Sequence, residues 1–268
     1  LGETYNRELG AADRAVDAYL NVLAIDDQDI EALDALTRIY DKRGDHASAL
    51  EMMEQLARLV QEPTQQVDLL FRSGRILDQE LGDRISALDK YQMALDLDPG
   101  HVQSIQAMRA IQIDSGDWLA AAKLFEQEAS YQESPRVVAG LLVELGRLYD
   151  EHLDEPEKAI QVWEAALKQD GDNEDAALPL VDHYTKHDRN DEAFPLLEML
   201  VKRMGKREPD EQHRLAFMLG ETSMKLEKTE DAIKAYEKAY QVDSTHLPTL
   251  LGVAASHYAA AEWGKAFK

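Results

Sequence analysis

Two histidines, His183 and His187, have the spacing of paired metal ligands on a helix, and Asp191 follows closely. Side chains four residues apart project from one face of a helix, so the two imidazoles can share a zinc ion. The sequence offers no identifiable third ligand and no outer partner to orient the imidazoles. The alternative is a solvent-facing pair near a helix C-terminus, where positive charge is stabilising. We favour this alternative and predict no metal site.

Alternating acids in the segment DGDNED, residues 170–175, are similar to the start of a calcium-binding loop. The segment lacks the central glycine and the distant glutamate of the twelve-residue calcium pattern. It also falls where the other repeated segments of the chain end one helix and begin the next. We therefore predict that these side chains cap helices.

Signatures of the common catalytic sites, such as the phosphate-binding loop, the dinucleotide fingerprint and the zinc-protease helix, are missing from the sequence. Paired carboxylates cannot be singled out, because Asp and Glu together number 52. The sequence predicts a protein that is not an enzyme and has no cofactor.

The formal net charge of −23 restricts the kinds of partner. Such a surface repels phosphate backbones and anionic lipids, so we predict no nucleic-acid and no membrane partner. It favours basic or neutral partners, unless a local patch reverses the sign. The chain has no cysteine, which excludes disulfides and thiolate metal sites and favours a reducing, cytoplasmic compartment weakly.

A small residue recurs along the chain at separations that alternate between 34 and 38 or 39 residues. Its positions are Ala15, Ala49, Ala87, Ala121, Ala159, Ala193, Ala232 and Ala266. Two consecutive separations add up to the same larger period, which is 72 residues over most of the chain. A fixed period of this size is the signature of a repeat architecture whose larger unit is a pair.

Each repeat contains two amphipathic segments. A large apolar residue lies four positions after most of the alanines, as Tyr91 follows Ala87 and Trp163 follows Ala159. Three positions further on the residue is usually apolar and often small, with Glu128 as the exception. This spacing places the three residues on one face of an α-helix. A second segment of helical period precedes each alanine, so the sequence predicts an all-α protein built from helix pairs.

Turn residues separate the predicted helices. Gly44, Gly82 and Gly116 suit the left-handed conformation that ends many helices. Pro99 has no amide hydrogen and biases Asp98 out of helical geometry, so it ends a repeat.

The pattern resembles the tetratricopeptide repeat, a helix-turn-helix unit of 34 residues. The small residue of the first helix and the small, aromatic and small residues of the second are matched in three segments: Gly74, Ala87, Tyr91, Ala94 and Pro99 in residues 70–99; Leu145, Gly146, Tyr149, Ala159, Trp163 and Ala166 in residues 137–171; Leu219, Gly220, Ala232, Tyr236 and Ala239 in residues 216–244. The intervening units depart from it, because Thr37, Arg109 and Val181 replace the small residue of the first helix.

The resemblance covers the whole chain and implies a right-handed α-solenoid of stacked antiparallel helix pairs. We predict one array over residues 1–268, with six complete units from about residue 30 to 244 and a partial unit at each end. The longer units are expected to carry extra loop residues. Leu1, Gly2 and Tyr5 match late positions of a first helix, and the sequence stops soon after Ala266. We therefore expect an excerpt of a longer protein, whose open ends allow homo-oligomers.

In this family the first helices line a concave groove, and the resemblance implies ligand-binding side chains at fixed places along them. Those places hold the candidate binding residues Arg38, Phe71, Arg75, Gln106, Val143, Arg147, Phe217, Met224 and Leu251. They also include eight acidic residues: Glu31, Asp34, Asp41, Asp68, Asp78, Asp150, Asp182 and Glu221.

Arg38, Arg75 and Arg147 recur at one place on this surface and could grip a carboxylate-bearing peptide through bidentate hydrogen bonds. Alternatively the arginines pair within their own helices, because Asp34 lies four residues before Arg38 and Glu151 four after Arg147. The Lys and Asn that chaperone-binding members use to clamp a carboxylate are absent from the corresponding positions of this sequence. Phe217, Met224 and Leu251 suit an amphipathic helix laid in a groove, or else neighbouring units cover them.

The leading interpretation is a non-catalytic scaffold that binds a partner peptide or helix in its concave groove. One alternative is a structural spacer or self-association module. Another is an accessory array of an enzyme whose catalytic domain lies outside this sequence.

Overall fold

The computed structural model describes residues 12–260, and within them every regular element is helical. Fourteen α-helices follow one another: α1 (Ala12–Leu23), α2 (Ile30–Arg43), α3 (His46–Leu59), α4 (Pro63–Arg75), α5 (Arg84–Leu97), α6 (Val102–Ser115), α7 (Trp118–Tyr131), α8 (Pro135–Glu151), α9 (Pro156–Gln169), α10 (Glu174–Lys186), α11 (Asn190–Arg203), α12 (Pro209–Lys225), α13 (Thr229–Val242) and α14 (Leu247–Ala259). A π-helical segment, Ile76–Glu80, continues α4, and a 3₁₀ turn, Met204–Lys206, follows α11.

The contacts divide the chain into two compact units, Leu1–Gln132 and Glu133–Lys268. Within each unit, consecutive helices pack against each other, with the strongest packing inside the pairs α2/α3, α4/α5, α6/α7, α8/α9 and α12/α13. Short turns join these helices, so each pair is an antiparallel hairpin. The stacking of hairpins inside each unit confirms the predicted all-α solenoid. One continuous array over the whole chain stays a prediction, and Leu1, Gly2, Tyr5 and Ala266 lie outside the described residues.

Side-chain caps and glycines define the helix ends, and the glycines lie where the sequence predicts them. Asp29 and Asp117, which precede α2 and α7, accept backbone hydrogen bonds from the residues three positions later, at 2.8 and 3.1 Å. Gly44, Gly82 and Gly116 have φ between 68° and 76°, the left-handed region in which a Cβ would be strained. Helix α5 ends at Leu97, two residues before Pro99.

The repeated alanines lie in the core of the hairpins. All those within the described residues are fully buried, namely Ala15, Ala49, Ala87, Ala121, Ala159, Ala193 and Ala232. The glycines of the first helices meet the aromatic rings of the second helices. A Cβ added to Gly74 would lie 2.5 Å from the Tyr91 ring, and one added to Gly220 would lie 2.6 Å from Tyr236. The small residue and the ring therefore fit each other by volume.

The longer repeats differ from the shorter ones in the first helix, which corrects the expectation of extra loop residues. Counted back from the equivalent repeat position in each first helix, α4, α8 and α12 begin one turn earlier than α2, α6 and α10. Each of the three begins with a proline: Pro63, Pro135 and Pro209. Proline fits the first helical position because its missing amide hydrogen has no partner there. In α4 the added turn is also anchored, because Gln66 Nε2 donates to the backbone oxygen of Val60 at 2.6 Å.

One hairpin, α6/α7, is built differently. Arg109 takes the place of the glycine, and its guanidinium lies 4.2 Å from the centre of the Phe125 ring. Glu128 takes the place of the second small residue and is 2% exposed. Its carboxylate accepts hydrogen bonds from Gln106 at 2.7 Å and from Arg109. Glu128, the exception in the sequence pattern, thus forms a buried ion pair with Arg109.

Candidate functional site

A cleft of about 650 Å³ lies between the first helices α2 and α4, where the resemblance implies a groove. We call it the α2–α4 cleft. Leu56, Val60 and Leu69 form its floor, and all three are buried. Ile30, which is 48% exposed, adds an apolar side chain at the edge. The volume and the apolar floor suit one or two side chains of a peptide.

The rim of the α2–α4 cleft is charged. All three acids of its lining, Glu31, Asp34 and Asp68, stand at positions that the family resemblance assigns to the groove. Two arginines, Arg38 and Arg72, also line it. The acids outnumber the arginines, and Glu31 makes no ion pair within residues 12–260. The rim is therefore net acidic.

Arg38 and Arg147 are both engaged with carboxylates of the same chain. Arg38 Nη2 lies 2.6 Å from Asp34, which is the intrahelical pair that the sequence left open. Arg147 pairs with Glu144 at 2.8 Å and with Asp175 of α10 at 3.6 Å, so Glu151 is not its partner. A bound carboxylate would have to displace these acids. Such exposed pairs contribute little stability and can exchange.

Arg75, the third arginine of the row, is exposed and lines a small cleft of about 80 Å³ together with Asp41 and Arg72. It makes no ion pair among the described residues. Sequence reasoning missed Arg72, which lies between Asp41 of α2 at 3.6 Å and Asp68 of α4 at 3.7 Å. The only available signal was its distance of four residues from Asp68.

Phe71 and Phe217 are half-buried in equivalent aromatic contacts. Phe71 lies 5.3 Å from the ring of His101, edge to face, and Phe217 lies at the same distance from His246. Each histidine precedes the next first helix, and its Nδ1 lies 2.8 Å from the hydroxyl oxygen three residues later, of Ser104 or Thr249. Sequence reasoning missed the two histidines. The shared spacing of a His and a hydroxyl residue in HVQS and HLPT was the signal.

The remaining candidate residues lie in dissimilar surroundings. Gln106 is exposed and donates to Glu128, while Val143 is only 3% exposed and belongs to the core. Met224 is half-buried, and Leu251 is 62% exposed on α14. The nine residues therefore lie in several places, and of them only Arg38 lines the α2–α4 cleft.

His183 and His187 lie with their ring centres 4.2 Å apart, at the end of α10. Burial and the neighbouring His187 lower the pKa of His183. The Nδ1 of His187 lies 2.8 Å from the backbone oxygen of His183, so this ring nitrogen bonds to a carbonyl group at the helix end. Over residues 12–260, no three His, Cys, Asp or Glu side chains are grouped to hold a metal ion. In DGDNED, Asn173 caps α10 by accepting from the amide of Ala176 at 3.0 Å, as predicted.

The helices of residues 12–260 include none that is both long enough and apolar enough to cross a membrane.

Comparisons with known proteins agree on the repeat. Residues 32–67 and 213–246 each match a family model described as tetratricopeptide repeat. No curated protein matches the sequence. A solved structure of the C-terminal part of a TPR repeat-containing protein from Cytophaga hutchinsonii is 16% identical, with a TM-score of 0.50, over 90% of this chain and 94% of that one. This likeness shows the fold.

Other solved structures have lower TM-scores. A tetratricopeptide repeat protein from Parabacteroides merdae has a TM-score of 0.44 and 18% identity, over 88% of this chain and 89% of that one. YrrB, described as a TPR protein with an unusual peptide-binding site, has a TM-score of 0.42 and 17% identity, over 68% of this chain and 89% of that one.

Proteins of this repeat family are typically non-catalytic scaffolds for protein–protein interaction. The family models fall on α2/α3 with the start of α4, and on α12/α13 with the linker that follows. The buried alanines recur through the hairpins of both units, and the glycine–ring contacts recur in α4/α5, α8/α9 and α12/α13. Residues 32–67 and 213–246 are thus matched as tetratricopeptide repeats, and such repeats support a protein–protein interaction scaffold.

Proposed function

We propose that the chain binds a partner peptide segment on the surface of its first helices, with the α2–α4 cleft as a contact site. The observation that supports this most is the coincidence of Glu31, Asp34, Arg38 and Asp68 with one cleft that has an apolar floor. An apolar floor with a charged rim is the arrangement by which grooves hold one side of a peptide.

The charges favour a basic partner. Arg38 is held by Asp34, and Arg72 lies between two aspartates, so neither arginine is left without a carboxylate. Glu31 and the weakly paired Asp68 remain available to a Lys or Arg of the partner. The matching segment is an apolar side chain flanked by basic residues. The net charge of the whole chain attracts the same class of partner and raises its association rate.

The test begins with a displayed library of random peptides selected on the wild-type chain. We expect enrichment of peptides in which Lys or Arg flanks a large apolar residue. Fluorescence anisotropy then compares the selected peptides on Glu31→Lys/Asp68→Lys and on a control variant, Glu51→Lys/Asp89→Lys, which makes the same charge change on α3 and α5. The cleft variant should bind about tenfold more weakly, and the control within about twofold of wild type.

Equal losses in both variants would mean that only the overall charge matters and would contradict the proposal. Selection of acidic peptides would contradict it as well. Circular dichroism melts of both variants check that the hairpins remain folded. Self-association through the array ends stays a prediction, as does the accessory role beside an enzyme.

A further inference from the structure

A second cleft, of about 780 Å³, lies between the second helices α11 and α13, with α12 beneath it. We call it the α11–α13 cleft. Its floor is apolar, because Leu219 is 7% exposed and Met199 is half-buried. It is formed by other helices than the α2–α4 cleft and shares no residue with it.

Four cationic side chains line the α11–α13 cleft: Lys202, Arg203, Lys234 and Lys238. Two of them come from α11 and two from α13, so both walls contribute. The stretch KRMGKR, residues 202–207, holds four basic residues and no acid, in a chain whose net charge is −23. This is the local reversal of sign that the overall composition left open.

Acids in the cleft compensate only part of this charge. Arg203 Nη2 lies 2.6 Å from Asp172, and Lys234 Nζ lies 3.6 Å from Asp231. Glu198 is the third acid of the lining. Lys202 and Lys238 make no ion pair within residues 12–260, and both are exposed. Two ammonium groups on opposite walls are thus available to a ligand.

We propose that the α11–α13 cleft binds an acidic amphipathic peptide segment of a protein partner. One apolar side chain of the segment packs on Met199 and Leu219, and its carboxylates pair with Lys202 and Lys238. Charge complementarity supports this occupant, since the rest of so acidic a surface repels acidic segments and leaves this cleft as their favourable place. A nucleic acid would be repelled by the same acidic protein surface, over a greater length because its phosphate backbone is longer than a peptide segment.

The experiment measures fluorescence anisotropy of a labelled synthetic helix of about four turns, with leucines on one face and glutamates on the other. A peptide of the same length with lysines in place of glutamates, and a short oligothymidylate, are the comparison probes. We expect the acidic peptide to bind the wild-type chain and to weaken as the salt concentration rises. Lys202→Glu/Lys238→Glu should weaken it about tenfold or more.

The matched control is Lys168→Glu/Lys186→Glu, which makes the same charge change on α9 and α10, outside the cleft lining. It should stay within about twofold of wild type. Methyl NMR supplies a second readout: the Met199 signal should shift on adding the acidic peptide, while that of Met93, an exposed methionine of α5, should not. Equal losses in the two variants, no shift at Met199, or preferred binding of the lysine peptide or the oligonucleotide would overturn the proposal.

Discussion

The hairpins α8/α9 and α6/α7 pack two helices around one aromatic ring, and they do so with opposite chemistry. In α8/α9, a Cβ added to Gly146 would lie 2.6 Å from Cδ1 of Trp163, so the ring fills the space that the glycine leaves. The indole nitrogen also donates to the backbone oxygen of Val143 at 3.3 Å. In α6/α7, Arg109 stacks on Phe125 and reaches the buried Glu128.

The difference shows that the repeat constrains pairs of residues and not single positions. Exchanging a glycine for arginine buries part of a cation, which is costly unless a carboxylate accompanies it. Glu128 stands where the other matching hairpins have Ala94, Ala166 or Ala239, and it meets that need. The aromatic position tolerates both solutions because a ring offers either an edge to pack against or a face to stack on.

Trp163→Ala should cause the largest loss of stability among the variants that test the two hairpins. Removing a buried ring that fills the gap beside Gly146 leaves a cavity and frees a backbone oxygen, at a cost of about 3–5 kcal/mol in the free energy of unfolding. Urea unfolding followed by circular dichroism measures it. An unchanged unfolding midpoint would show that the ring does not hold this hairpin together.

Glu128→Ala should come next, with a loss of about 2–3 kcal/mol, because Arg109 keeps a charge whose partner is gone. Adding Arg109→Met should recover part of that loss, since methionine covers Phe125 without a charge. The same unfolding assay compares the single and the double variant. A double variant that is less stable than Glu128→Ala alone would contradict the pairing.

Gly146→Ala should cost about 1–3 kcal/mol, because the new methyl group overlaps the Trp163 ring. Gly140 supplies a matched control in the same helix, as a Cβ there meets no atom within 4 Å. Gly140→Ala should stabilise the chain by about 0.5–1 kcal/mol through the lower flexibility of the unfolded state. Thermal melts distinguish the two variants, because the melting temperature should fall for Gly146→Ala and rise for Gly140→Ala.

Tyr91→Phe should have the smallest effect at neutral pH. The Tyr91 hydroxyl is buried without a hydrogen-bond partner in the described part of the chain, and burial raises the pKa of Tyr91 to about 12. The unfolded tyrosine ionises near pH 10 and the folded one does not, so the wild-type chain loses stability between about pH 10 and 12. The variant lacks this titration. Unfolding midpoints across that range should therefore fall more steeply for wild type than for Tyr91→Phe.

Local chemistry explains what the sequence predicts well. A left-handed glycine such as Gly116, a cap such as Asn173 and a buried alanine such as Ala121 are each determined by backbone geometry and helical period. The spacing of the repeats gave the number of inserted residues but not their conformation. Pro63, Pro135 and Pro209 were the signal that those residues begin a helix.

The charged groups of the candidate site were harder to predict. Whether Arg147 reaches Asp175 depends on the distance between neighbouring helices, and no spacing within one helix gives it. The same holds for Arg72, which joins α4 to Asp41 of α2. The family resemblance placed Val143 on the groove surface because of its position in the repeat. Its burial depends on how the side chains of the surrounding hairpin pack, which a position in the repeat does not give.

The proline-led extra turn recurs on every second first helix, in α4, α8 and α12. A gene that grew by copying one hairpin at a time would give neighbours of equal length, whereas copying two at once preserves the alternation. The alternation is the pattern that duplication in steps of two hairpins would produce. Deletion of a single hairpin would bring two long or two short first helices together, so natural length variants should gain or lose hairpins in even numbers.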